Sequence, residues 1–284
     1  MGRFRRCALV VSCGALASLS VLAGLSVGAN PASAAKPQIP SPMPTLQFNG
    51  AFYGSIATLS GGPETLLAVN ANSVWKWVNG SSPTLAYNGA FFGSIATIAD
   101  TQGNLFAINP TSVWELPAGG TPTLFYNGAF FGSRTTLAAP AVAGKSELFA
   151  INDNTVWYIS TGASPSLLVN GPFYGSIATL ATQYAVFAVN PTSIWVLSPG
   201  PTISEYYAGA FFGTMATLVD PNGDLIAVNP TSLWEIPIAG PTTPELMYGG
   251  AFFGTLATVA FYGIAPYLFA VNPTSIWEFT PLIA

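Results

Sequence analysis

Asn88-Gly89-Ala90-Phe91-Phe92-Gly93-Ser94-Ile95-Ala96-Thr97-Ile98 is followed by a Gly-Asn turn, by Leu105-Phe106-Ala107-Ile108-Asn109-Pro110-Thr111-Ser112-Val113-Trp114, and then by Pro122-Thr123-Leu124. This cassette occurs six times and fills nearly all of the chain beyond its N-terminal tail. The Gly that closes the Ala-Phe-Phe-Gly motif falls at Gly54, Gly93, Gly132, Gly175, Gly213 and Gly254, and the Trp marker at Trp75, Trp114, Trp157, Trp195, Trp234 and Trp277. Two independent markers share one spacing, and a period of about 40 residues is that of a propeller blade.

Each cassette holds four short runs rich in Ile, Val, Phe, Tyr and Thr, separated by Gly, Pro, Asn and Asp. In the second copy the pattern predicts strands at Ser94–Ile98, Leu105–Asn109, Ser112–Leu116 and Thr123–Tyr126. No stretch has helical periodicity. Four strands in each of six repeats make an all-β, six-bladed β-propeller with four-stranded blades. A transmembrane barrel needs strands of about 9–11 residues, and these are about half that. If the Ser-Ile-Ala-Thr strand is innermost, its small side chains suit the crowded axis, and Thr-Leu-x-Tyr is the outermost strand. The first repeat is preceded by an outermost strand, Thr45-Leu46-Gln47-Phe48, and the last stops after its third, Ser275-Ile276-Trp277-Glu278-Phe279. The N-terminal strand is therefore expected to complete the last blade and remove two open edges. This phase puts the Ala-Phe-Phe-Gly links and the Asn-Pro-Thr-Ser turns on one face. The loops of the opposite face vary freely.

Arg3, Arg5 and Arg6 precede a long apolar run from Cys7 to Val27, and Ala32-Ser33-Ala34 then supplies a small-x-small exit. This reads as a secretory signal peptide over residues 1–34. A membrane anchor is the alternative, since about 20 apolar residues can span a bilayer. Residues 35–44, with alternating prolines, form an extended spacer, and residues 45–284 form the propeller. The expected location is secreted, extracellular or cell-wall associated, with no transmembrane span after cleavage. Cys7 and Cys13 both lie in the leader, so the mature chain would have no thiol chemistry. Its loss would leave Lys36, Lys76, Arg134 and Lys145 against 11 acidic residues. Nucleic acid is excluded as a partner, because phosphate contacts need a basic footprint.

Charged residues make up only 6% of the chain and there is no His. No nucleophile elbow, HExxH or phosphate loop is present, and acidic residues are scattered. The chain is therefore expected not to be an enzyme, with no catalytic residue, no metal site and no cofactor. Asp220-Pro221-Asn222-Gly223-Asp224 resembles half a calcium loop, but Thr231 stands where the bidentate Glu belongs, so it reads as a turn. The six Trp residues read as core between blades. Asn opens every second turn, at Asn70, Asn109, Asn152, Asn190, Asn229 and Asn272. Its side chain can cap the turn backbone or face a ligand. Each link carries an aromatic pair, and adjacent side chains of extended chain point opposite ways. The first ring can then bury while the second, at Tyr53, Phe92, Phe131, Tyr174, Phe212 or Phe253, lies near the surface. Rings beside amides suit sugars, which offer an apolar face and hydroxyls. Burial of both rings as wedges is the competing reading.

Leu105-Phe106-Ala107-Ile108-Asn109-x-x-Ser112-Val113-Trp114 and Val186-Phe187-Ala188-Val189-Asn190-x-x-Ser193-Ile194-Trp195 resemble the repeats of tectonin/tachylectin-type propellers. The likeness touches about a dozen positions per repeat. It implies lectin-like recognition of glycans or other cell-surface components, with sites repeated by blade. The expected function is a multivalent carbohydrate-binding module. The alternatives are a structural or protein-interaction propeller and a hydrolase or lyase working at the central channel.

Overall fold

The computed structural model describes residues 44–279 except 63, 101, 130–140, 143–144, 161–162, 174, 182–184, 199–201, 220–222, 239–242, 252–255 and 263–264. All the described residues belong to one compact unit, Pro40–Ala284.

They form six four-stranded antiparallel sheets, the blades. After β1 (Thr45–Asn49), the first blade is β2 (Ala57–Ser60), β3 (Thr65–Asn70), β4 (Ser73–Val78) and β5 (Thr84–Asn88). The second is β6 (Ala96–Ala99), β7 (Leu105–Asn109), β8 (Ser112–Leu116) and β9 (Thr123–Asn127). The third is β10 (Ala141–Val142), β11 (Lys145–Ile151), β12 (Thr155–Ser160) and β13 (Ser166–Asn170). The fourth is β14 (Ala178–Ala181), β15 (Val186–Asn190), β16 (Ser193–Ser198) and β17 (Thr202–Ala208). The fifth is β18 (Ala216–Val219), β19 (Leu225–Asn229), β20 (Ser232–Ile236) and β21 (Glu245–Gly249). The sixth has three strands of its own, β22 (Leu256–Tyr262), β23 (Ala265–Asn272) and β24 (Ser275–Phe279).

The fourth strand of the sixth blade is β1. It pairs antiparallel with β24, with Thr45 opposite Glu278 and Asn49 opposite Ser275, so the ring closes as the phase of the repeat requires. The closure copies the other blades closely. In all six, the Gly after the outermost strand donates its N–H to the third residue of a second turn: Gly50 to Thr274, Gly89 to Asn72, Gly128 to Thr111, Gly171 to Asn154, Gly209 to Thr192 and Gly250 to Thr231. Every outermost strand also carries a bulge beside the third strand. A bulge sharpens the local twist, which suits the part of the blade farthest from the axis.

The core lies between blades. Second strands are buried almost throughout, as in β7 and β19, whereas the inner strands β2, β6 and β18 are only half-buried. The axis is thus less tightly filled than the sequence suggested, and the inner strand starts two residues later, at Ala96. Leu67, Val69 and Val74 of the first blade pack with Leu105, Ala107 and Leu116 of the second, and Phe91 of the link wedges between them. Phe52 does the same between the sixth and first blades, Phe173 between the third and fourth, and Phe211 between the fourth and fifth. Burying a Phe is worth about 1.5–3 kcal/mol, so each of these four links stabilises the joint it crosses.

Candidate functional site

The fully described links, into the first, second and fifth blades, run from one blade to the inner strand of the next, and along the first two the side chains alternate in and out. Ala51, Tyr53 and Ser55 are exposed while Phe52 and Gly54 are buried, and Ala90, Phe92 and Ser94 are exposed while Phe91 is buried. The first rings, Phe52, Phe91, Phe173 and Phe211, are all below 5% exposure, whereas Tyr53 and Phe92 are 45% and 41% exposed. Phe212 is half-buried and packs against the cluster between the fourth and fifth blades. Phe131, Tyr174 and Phe253 lie outside the described residues. Among the described pairs the competing reading, both rings buried, fails at Tyr53 and Phe92.

The link is held down by its own Gly. A Cβ added at Gly54, Gly93, Gly175 or Gly213 would run into the carbonyl oxygen of Ala57, Ala96, Ala178 or Ala216 and the backbone of the second strand. The N–H of each of these four glycines donates to a Thr Oγ1 four residues on, at 2.9–3.0 Å. The next N–H, of Ser55, Ser94, Ser176 or Thr214, donates to the Oδ1 of Asn70, Asn109, Asn190 or Asn229 at 2.9–3.0 Å. The recurring Asn thus ties the link to the second turn and does not cap its own turn. Its acceptor is used in the fold, and at these four residues Nδ2 makes no hydrogen bond among the described residues. The structure therefore holds an exposed ring and a free amide donor one hydrogen bond and two residues apart in the first two blades. Asn152 and Asn272 differ, because their Nδ2 donates to Thr155 Oγ1 and Ser275 Oγ at 3.1 and 3.3 Å.

The links and second turns of this face are nearly free of charge. Among their described residues Asp153 is the only ionisable carboxylate. The perturbed groups lie elsewhere. Burial, and then the charge of Asp100, push Glu115 on β8 above the ordinary carboxylate range. Burial, and then Asp224, push Tyr206 on β17 up to about 12, and its hydroxyl donates to Pro237 O at 2.8 Å. At the opposite face, Asp100 accepts the N–H groups of Gln102 and Asn104 and the Nδ2 of Asn104, so it closes its own turn. Asp224 Oδ1 accepts the N–H of Ile238 at 2.7 Å. No three His, Cys, Asp or Glu side chains converge among the described residues.

Three of the six marker Trp residues depart from the expected place in the core between blades, and three keep to it. Trp75, Trp114 and Trp195 are 38–39% exposed, while Trp157, Trp234 and Trp277 pack against inter-blade clusters. Each Trp stands toward the periphery, where neighbouring blades diverge, and in five blades its partner on the outermost strand is a Leu. Burial of the whole ring between blades was too strong a reading of the strand pattern, because the gap between blades widens with distance from the axis.

No family model matches the chain, and no curated protein matches it. Its fold is similar to that of a gluconolactonase from Xanthomonas campestris, at 14% identity over 84% of this chain and 89% of that one, with a TM-score of 0.54. It is also similar to a virginiamycin B lyase from Staphylococcus aureus, at 12% identity over 85% and 90% of the two chains, with a TM-score of 0.49. A chain in a nidogen–laminin complex matches at 11% identity over 76% and 93%, also with a TM-score of 0.49. At these identities the likeness shows the propeller fold alone. Nothing in it points to tectonin/tachylectin-type lectins in particular. The expectation that the chain is not an enzyme is corrected here. A propeller similar to it is a gluconolactonase, so the fold does not by itself exclude catalysis.

Proposed function

We propose that this chain is a secreted, multivalent binding propeller that recognises carbohydrate through its link face. The observation that carries the reading is the split fate of the aromatic pair: Phe52 and Phe91 are buried while Tyr53 and Phe92 stay exposed beside Asn70 and Asn109. A packing joint needs one ring. At Tyr53 and Phe92 the second ring belongs to no core cluster, and a ring beside amide donors matches the two-sided chemistry of a sugar. Weak single sites on one rigid ring would add up through avidity.

A glycan array on the mature protein tests this, with Phe92→Ala and Asn109→Asp as partners to the parent. The carboxylate introduced by Asn109→Asp would still accept from the Ser94 N–H, so the link stays tied while the Nδ2 donor is lost. Loss of array signal in both variants at unchanged thermal stability is the expected result. A flat array for the parent, with a protein captured in its place, would move the reading to an interaction propeller. A second reading, catalysis at the mouth of the channel, draws on the fold shared with a gluconolactonase. Turnover of a sugar lactone by the purified chain would establish it.

A further inference from the structure

The link face has a property beyond its aromatic rings: it is an open, uncharged platform. Glu64, Asp100 and Asp224 sit at the opposite face, and the remaining described charges, Asp153 apart, lie on strands. The residue before each of these two aromatic pairs is small and exposed as well, at Ala51 and Ala90, so the chain on that side leaves the second ring open. A small cavity lies between the first two blades, but at the opposite face, against Gly103, Pro117 and Gly119. A buried pocket covers most of its ligand, whereas these rings offer one face each.

Resting on the carbohydrate reading above, we infer that the link face takes an uncharged polysaccharide, engaged by several blades at once, and not an acidic glycan or a single sugar. Three features converge on this. The amide Nδ2 groups of Asn70, Asn109, Asn190 and Asn229 are donors without a partner among the described residues, so they call for acceptor oxygens, which hydroxyls and ring ethers supply; the preference for an uncharged chain comes from the next feature. The chain carries 11 acidic against 7 basic residues, and its field opposes a polyanion. The subsites of the first two blades are shallow and neighbour one another on one rigid ring, so a single sugar gains one weak contact while a polymer gains more than one, worth about 10²–10⁴ in avidity.

The test is co-sedimentation of the full mature chain with three probes: an insoluble neutral β-glucan, insoluble chitin, and calcium-crosslinked polygalacturonate. Each is run at about 20 mM and about 500 mM salt, which brackets screening of exposed charges, with free glucose and N-acetylglucosamine as competitors. Retention on at least one neutral polymer, within about twofold at the two salt concentrations, is expected. Either free sugar should compete only at concentrations about 100-fold or more above the polymer's own half-saturation point. Tyr53→Ala combined with Phe92→Ala should lower retention by more than the product of the single effects. Salt-sensitive binding to polygalacturonate alone, or full competition at one sugar per chain, would overturn this inference while leaving carbohydrate recognition standing. Retention on none of the three, together with a flat glycan array, would sink both.

Discussion

Gly93 and Gly171 occupy different places in the same kind of link and answer to different constraints. Gly93 lies where the link presses on the second strand, and a Cβ there would meet Ala96 O and the backbone of Ile108. Gly171 follows an outermost strand. Its counterparts Gly89, Gly128 and Gly209 lie under the rings of Tyr87, Tyr126 and Tyr207, but Val169 stands in that ring's place and nothing comes within 4 Å of a Cβ at Gly171. Gly93→Ala is therefore expected to cost about 2 kcal/mol or more, as overpacking against backbone does. Gly171→Ala should stay within about 0.5 kcal/mol. Thermal denaturation of the two variants decides the matter, and equal losses would refute close approach as the reason for the first glycine.

At the scale of the element, the third strand of the second blade carries a carboxylate that folding disfavours. The pKa of Glu115 is raised by burial and then by Asp100. A raised folded pKa means that the native state holds the proton more tightly, so stability is fullest below the ordinary carboxylate range and falls as pH rises through the folded value. Glu115→Gln removes that penalty. The variant should melt above the parent at about pH 7 and level with it at about pH 3, where both side chains are neutral. A variant equally stabilised at both pH values would assign the effect to packing. The link is an element in its own right, and its two rings separate cleanly: Phe91→Ala should cost about 3–5 kcal/mol by emptying the wedge, whereas Phe92→Ala should leave stability nearly unchanged.

For the whole molecule the decisive joint is the one where the two ends of the propeller meet. Trp77 is fully buried there, packed edge-on against Phe269 at 5.7 Å and tilted against Phe52 at 6.5 Å. Its Nε1 has no partner among the described residues, so Trp77→Phe should cost far less than Trp77→Leu, for which a loss of about 2–4 kcal/mol is expected. Deleting residues 1–50 removes β1 and leaves β24 as an open edge. Relative to deletion of residues 1–43, it should lower the melting temperature and produce concentration-dependent oligomers on size exclusion. A monomer of equal stability would show that the ring does not depend on its closure. From the order of residues alone follow the repeat, the number of blades, the phase of the strands and the closing pair, because period and turn chemistry are local. That alternation can split an aromatic pair also follows from the chain, but burial of both rings fitted the sequence as well, and the structure decided for the split at Tyr53 and Phe92. Which ring is wanted inside, how far the Trp residues emerge at the widening rim, and which N–H the recurring Asn receives depend on how neighbouring blades approach one another. That approach is a matter of distances between residues far apart in the chain, and only the tertiary structure decides it.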